Sequence, residues 1–349
     1  MVEDREFGER QARVTLLDVA AAAGVSKSTV SRILDERLPQ SDGESARRVR
    51  KIAAKLGYVR DVSAASLRRG KTLTIGMIVP RLTDTVMAML YESLARACAR
   101  TGQFAIVATT EDQPTAQRAA AQSLLQRGVD GLILSTARSD DDFPAELAAR
   151  GVPFVLALRT DGRSLSSVAD DRLGGYLATR HLLDLGHRRI GLIAGPDYAS
   201  SSTGRAKGYR QAMAEAGLDV DPAWIAGSTF GIGSGAEAAE ILMRLPTPPT
   251  ALFAINDNTA IGAWSALARL GLDVPGDVSL VGYNDIPIVS HLPTPLTTVR
   301  VPFDQIASEA LDLVSRGPAG ETDRMRIAAP TLIPRRSTTR PKGETPRSA

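Results

Sequence analysis

The chain has 349 residues, 43% of them hydrophobic, 23% charged and only 4% aromatic, with a formal net charge of +3. That length holds two or three domains with sizeable cores. The single cysteine, Cys98, excludes an intrachain disulfide or a Cys-based metal cluster, and no stretch approaches the roughly 18 apolar residues of a membrane span.

Residues 1–13 are charged, without periodicity and without the apolar run of a signal peptide, and read as a disordered leader. From Thr15 to Leu34 two short apolar-periodic segments flank a glycine. Leu16, Val19, Ala20 and Ala23 share one face of a first helix, and Gly24 supplies the positive φ of a tight turn. Ser26 is a good N-cap for a second helix with Val30, Ile33 and Leu34 inside and Lys27, Ser28, Ser31 and Arg32 outside. An αα-hairpin in a bundle shares this outline. The small residues 20–23, which permit close helix approach, and the outer face of hydroxyls and cations favour a helix-turn-helix. The run VTLLDVAAAAGVSKSTVSRIL resembles, nearly position for position, the N-terminus of LacI/GalR-type transcriptional regulators. On that resemblance Lys27, Ser28 and Arg32 are expected to read base edges, and Thr15, Ser26, Thr29 and Ser31 to fix phosphates.

Past a loop containing Pro39, Ser41-x-x-Glu44 reads as a capping box opening a third helix, with Val49, Ile52, Ala53 and Leu56 inside and Gly57 at its end. Residues 14–59 then form a complete small head. Residues 1–71 carry 15 Lys and Arg against 10 Asp and Glu, and the remainder 27 against 29, so the basic charge sits at one end. Between Ser45 and Lys71, nine cations face Asp61 alone, which suits a polyanion. Residues 60–71 hold a possible short helix around Ala64 and Ala65, too small to fold alone. In the resembling family this is the hinge helix, in which a leucine at the place of Leu67 wedges into the minor groove. Capping of a linker by Leu67 is the plain alternative. Arg60, Asp61 and Ala65 depart from the family pattern here.

From Leu73 strands and helices alternate. Strands are expected over 73–80, 104–110, 131–136, 153–158, 189–195, 224–229, 251–256 and 278–285, with helices between, then a helix over 304–314 and a last strand near Ile327 to Ile333. Two successive doubly wound parallel sheets imply a two-lobed α/β body. The runs ADDRLGGYLATRHLLDLGHRRIGLIAG (169–195), GRAKGYRQAM (204–213) and FAINDNTAIGAWSALARLGLDVPGDVSLVGYNDIP (253–287) extend the family resemblance, which implies a type I periplasmic-binding-protein-like fold. The body is expected over 72–337, with the first lobe at about 72–168 and 301–324 and the second at about 172–295 and 327–337. Crossings are expected near 168–172, 295–301 and 324–327. Residues 338–349 read as a disordered tail without leucine heptads, which favours a homodimer.

A polyhydroxyl ligand needs side chains that chelate hydroxyl pairs and a flat aromatic face. Loops at the carboxyl ends of strands offer Asp84 and Thr85 in the first lobe, and Arg205, Phe230, Asn256, Asp257, Asn284 and Asp285 in the second. By resemblance Arg205 anchors the effector, Phe230 stacks on it, and Asn284 stands where the family usually has an effector-binding Asp. Asp257 is equally suited to cap the helix over 258–270, and Arg205 to be a first-turn surface residue. Leu158 departs from the Ile-Asp-Arg often found at 157–159. Asp84-Thr85-Val86-Met87 likewise replaces Asn-Pro-Phe-Phe, so a hexose is not to be assumed. Gly231-x-Gly233-x-x-Ala236 superficially fits a dinucleotide fingerprint, but follows a short polar strand. His181, His187 and His291 read as structural, and no Ser-His-Asp or P-loop pattern occurs.

No catalytic residue, metal or cofactor is therefore expected. The sequence reads as a cytoplasmic, nucleoid-associated transcriptional regulator, expected to repress. It would bind a pseudo-palindromic double-stranded operator as a homodimer, under control of a sugar-like effector, without contact to a membrane. A sugar-binding receptor or an enzyme on the same two-lobed body is the alternative, and neither accounts for residues 15–71.

Overall fold

The computed structural model describes residues 14–35, 41–58, 71–317, 319–320 and 323–342. Leu67, with Arg60, Asp61 and Ala65, lies outside the described residues. The chain divides into two compact units, one up to Thr72 and one from Leu73 onward.

The first unit is three short helices, α1 (Leu16–Ala23), α2 (Lys27–Ile33) and α3 (Glu44–Lys55). Thr15 caps α1 through a reciprocal pair of bonds. Its Oγ1 accepts from the Asp18 N–H, and the Asp18 carboxylate accepts from the Thr15 N–H at 2.7 Å. Gly24 ends the helix at φ +65°, with open space around its Cα, so the backbone angle and not crowding requires a glycine there. Ser26 caps α2, its Oγ accepting from the Thr29 N–H at 3.2 Å. The capping box expected at Ser41 does not form. Gly43 is the N-cap of α3 and no side chain bonds the helix end; Ser41 instead lends its carbonyl to Arg50 at 2.7 Å. Val19, Ala20, Ala23, Val30, Val49 and Ala53 close the core of this unit.

The second unit has two lobes. The sheet of the first is parallel, in the order β2 (Phe104–Thr109), β1 (Thr74–Val79), β3 (Gly131–Leu134), β4 (Phe154–Ala157), β5 (Ser166–Ala169), β11 (Met325–Ala328). Alternation along β1 sends Ile75, Met77 and Val79 to the face covered by α4 (Thr85–Arg100) and α11 (Phe303–Arg316). Ile78 turns to the face covered by α5 (Pro114–Gln126) and α6 (Phe143–Ala149), where it packs with Leu124, Phe143 and Leu147. The second lobe has the parallel order β7 (Ile225–Gly227), β6 (Ile190–Ala194), β8 (Ala251–Ala254), β9 (Ser279–Val281). Helices α7 (Asp171–Asp184) and α8 (Ser200–Glu215) pack as one pair, α9 (Ile232–Met243) and α10 (Asp257–Arg269) as another. Gly175 on α7 lies so close to α8 that a Cβ there would strike the Arg205 carbonyl. A short antiparallel ribbon, β10 (Thr298–Arg300) with β12 (Thr331–Ile333), continues beside β9.

The end of the chain differs from the sequence reading. The single strand expected over 327–333 is two strands. β11 pairs with β5 in the first lobe and β12 with β10 in the second. The third crossing therefore falls at Ala329–Pro330, beyond the expected 324–327, where proline has no N–H to continue a ladder. The first lobe accordingly reaches Ala328. Residues 338–342, expected to open a disordered tail, lie on the second lobe. Thr338 Oγ1 meets His181 Nε2 at 2.9 Å, the Thr339 carbonyl meets His187 Nε2 at 2.9 Å, and Lys342 pairs with Asp277 at 2.7 Å. No helix among the described residues is long and apolar enough to cross a membrane.

Candidate functional site

In the first unit, the 100° step of α2 places Lys27, Ser28, Ser31 and Arg32 within one arc, opposite buried Val30 and half-buried Ile33. Lys27, Ser28 and Arg32 are exposed, and Thr29 and Ser31 are half-buried. Thr15 and Ser26 are exposed but committed as helix caps. The Thr15 hydroxyl donates to Asp18 at 2.7 Å, and Ser26 Oγ lies 2.8 Å from the hydroxyls of both Ser28 and Thr29.

In the second unit, a cavity of about 380 Å³ opens between the lobes at the carboxyl ends of their strands, a size that suits a small ligand. Asp84, Arg205, Phe230, Asn256 and Asn284 line it. Three expected residues do not. Asp285 is turned away into ion pairs with Arg300 at 2.7 Å and Arg335 at 2.6 Å. Thr85 opens α4 beside the wall without being part of it. Asp257 is fully buried behind the wall, accepting from the Thr298 hydroxyl at 2.7 Å and the Ile286 N–H at 2.8 Å. Burial pushes the Asp257 carboxyl up to about 7. Nor does Asp257 cap α10: that role belongs to Asn256, whose Oδ1 accepts from the Thr259 N–H at 2.8 Å. The Asn256 amide also donates to the Phe230 carbonyl at 3.0 Å, fixing the loop that carries the ring.

Arg205 was expected to open a helix at 204, but α8 begins at Ser200, which puts Arg205 in its second turn. There it is buried. Its Nε donates to Asp171 at 2.8 Å, its Nη1 donates to the Ile255 carbonyl at 2.7 Å, and its guanidinium stacks on Tyr283 at 3.7 Å. Burial pushes the Asp171 carboxyl up, and the Arg205 charge pulls it back. Asp84 caps α4 through the Val86 N–H at 3.1 Å and reaches across the cleft to accept from the Asn258 amide at 3.1 Å. Burial likewise raises its carboxyl against those bonds.

The structure adds residues that the sequence did not single out as ligands. Asp112, just beyond β2, accepts both Nη groups of Arg159 at 3.1 and 3.3 Å and the Tyr198 hydroxyl at 3.0 Å. Arg138 lies 3.5 Å over the Tyr198 ring and is paired with Asp140. The Ser139 N–H donates to the Tyr198 carbonyl at 2.9 Å, and the Thr160 N–H to Ser200 Oγ at 2.8 Å. Tyr198 is thus a strap from the second lobe onto the first. Position at a strand end was the available signal for Asp112. Nothing local marks Tyr198, its partner 86 residues away.

Backbone strain gathers here as well. Glu111, Asp112, Leu158, Phe230 and Asn284 line the cavity, and all take positive φ, from +53° to +105°. Strained backbone of this kind concentrates at ligand sites, where the surrounding fold over-determines it.

Comparison with known proteins gives a consistent picture. Residues 15–61 match the family described as bacterial regulatory proteins of the lacI family, and residues 179–338 match a periplasmic binding protein-like domain. The ribose operon repressor of Haemophilus influenzae is 33% identical over 328 residues, covering 93% of this chain and 98% of that protein. The transcriptional repressor PurR of Photobacterium profundum is 31% identical over the same length, covering 93% and 98%. Among solved structures, the lac repressor dimer bound to operator and the anti-inducer ONPF aligns at a TM-score of 0.82 and 27% identity, covering 94% of this chain and 99% of that one.

Proposed function

Because the chain belongs to the LacI family of bacterial transcriptional regulators, we propose that it represses transcription from a pseudo-palindromic operator as a homodimer in the cytoplasm, under control of a sugar-like effector. It works by binding and catalyses no reaction. Lys27, Ser28 and Arg32 read base edges in the major groove, which their exposure on one arc of α2 supports. Thr29 and Ser31 face phosphates, and Thr15 and Ser26 chiefly present the amino ends of their helices to the backbone. Leu67 supplies the minor-groove wedge.

The observation that carries the effector half of this reading is the interlobe cavity, lined from both lobes by Asp84, Arg205, Phe230, Asn256 and Asn284. A ligand touching both lobes binds their closed arrangement better than their open one. It therefore shifts the population between two states of different operator affinity.

The test is a titration of the full-length protein onto a selected operator over a salt series, with and without a panel of sugars. A head that neutralises about six phosphates loses roughly a thousandfold in affinity between 50 and 200 mM salt, and one sugar shifts the curve. A flat salt response sinks the DNA-binding assignment; a curve that no small molecule moves sinks the effector assignment.

A further inference from the structure

Three hydrogen bonds that join the lobes are gathered on residues 198–200 of the second lobe. The Tyr198 hydroxyl donates to Asp112 at 3.0 Å, the Tyr198 carbonyl accepts from the Ser139 N–H at 2.9 Å, and Ser200 Oγ accepts from the Thr160 N–H at 2.8 Å. The Arg138 guanidinium also covers the Tyr198 ring, 3.5 Å from its centre, an attraction that strengthens as water is excluded. Asp112, Ser139 and Thr160 follow three different strands of the first lobe, β2, β3 and β4. One short segment of the second lobe is thereby held to three loops of the first.

The receiving side is built within the first lobe alone. Arg159 binds both oxygens of Asp112, at 3.1 and 3.3 Å, and the pair is largely buried. Asp112 stands at φ +61°, a conformation that Asp tolerates better than most side chains. An acceptor fixed in this way needs no rearrangement when Tyr198 arrives, so the bond costs little beyond ordering one hydroxyl. The same Arg159 guanidinium lies 5.5 Å from the Phe230 ring, so this contact and the ligand wall share a side chain. Every bond in the set is made between protein groups.

We propose that Tyr198 is a latch that holds the cleft closed before any effector binds, so that the effector reinforces an arrangement the protein already favours. This rests on the effector-controlled reading above and deepens it by assigning a regulatory residue. A hydrogen bond to a charged acceptor changes an equilibrium about 10-fold or more, and the apparent affinity of a ligand scales with the competent fraction of the protein. Loosening the latch therefore weakens effector binding. It also moves the operator affinity of the ligand-free protein in the direction opposite to the shift that an effector causes.

Double electron–electron resonance on the ligand-free full-length chain tests it, with nitroxides at Thr83→Cys and Gly233→Cys, exposed positions on opposite lobes; Cys98 is buried and takes no label. The parent gives one narrow distance. Tyr198→Phe keeps the ring and loses the bond to Asp112, which lowers the closed-to-open ratio about 10-fold. Tyr198→Ala also removes the stack on Arg138, and a longer distance becomes the main population. An unchanged distribution in Tyr198→Ala overturns the latch, as does a parent that is already broad. Operator binding by unlabelled, ligand-free Tyr198→Ala shifts opposite to the shift that a sugar produces in the parent. A shift in the same direction, or none, overturns the regulatory role. If no sugar moves the parent's operator curve while Tyr198→Ala still opens the lobes and changes operator affinity, the latch stands and the effector reading alone falls.

Discussion

Arg205 serves the cavity and the core at once. Its guanidinium lines the ligand space, yet it is also the counter-charge that allows Asp171 to be buried. Arg205→Ala is therefore expected to cost about 3–5 kcal/mol of stability, the usual penalty for stranding a buried charge. Arg205→Met with Asp171→Leu should recover most of that loss in urea unfolding, while still failing to bind effector. A single variant as stable as the parent would refute the counter-charge role. Phe230, Asn256 and Asn284 were legible in the sequence because strand ends are local features, and Arg205 was singled out although its helix starts at Ser200 and not at 204. The burial of Asp257 was not legible, since either residue caps a helix well and the partners that hold Asp257, Ile286 and Thr298, are 29 and 41 residues away in the chain. Asp112, Arg138 and Tyr198 were illegible for a different reason: their roles exist only once the two lobes meet.

At the scale of elements, helix ends govern the DNA-binding unit. Its helices are short and its core is small, so single caps weigh heavily. Ser26→Ala removes the bond to the Thr29 N–H and should cost about 1 kcal/mol. In a unit this small that lowers the unfolding midpoint of the head by about 4–8 °C, read by circular dichroism on the full chain. An unchanged midpoint would show that water replaces the cap. The helices around Gly24 and the long buried strands could be read from periodicity. β5 and β10 could not, because Ser167, Thr297 and Thr298 are buried polar residues held by Glu309, the Arg335 N–H and Asp257, all far along the chain. Ser41 and Gly43 competed for one helix start, and the bond from Arg50 to the Ser41 carbonyl holds Ser41 outside the helix.

For the molecule as a whole, Asp257 ties α10 to the loop at Ile286 and to β10, and its carboxyl, ordinarily near 3.8, is raised to about 7. A raised acid binds more protons folded than unfolded, so its contribution is fully present below 3.8 and is lost as the pH rises through about 7. Asp257→Asn keeps an acceptor for the Ile286 N–H and a donor for Thr298. The difference in unfolding free energy between parent and variant should consequently shift against the parent as pH rises from 4 to 8. A difference that stays constant with pH would show that Asp257 is ionised throughout.

The split between β11 and β12 sets an order of events during synthesis. The first lobe begins at β1, but α11 and the edge strand β11 come from residues 303–328, after the four-stranded sheet of the second lobe has been made. Until then the face of β3, β4 and β5 that α11 covers has nothing to bury it. On the ribosome, the lobe that emerges first is the one whose sheet is completed last, and its exposed apolar face must wait for about the final tenth of the chain.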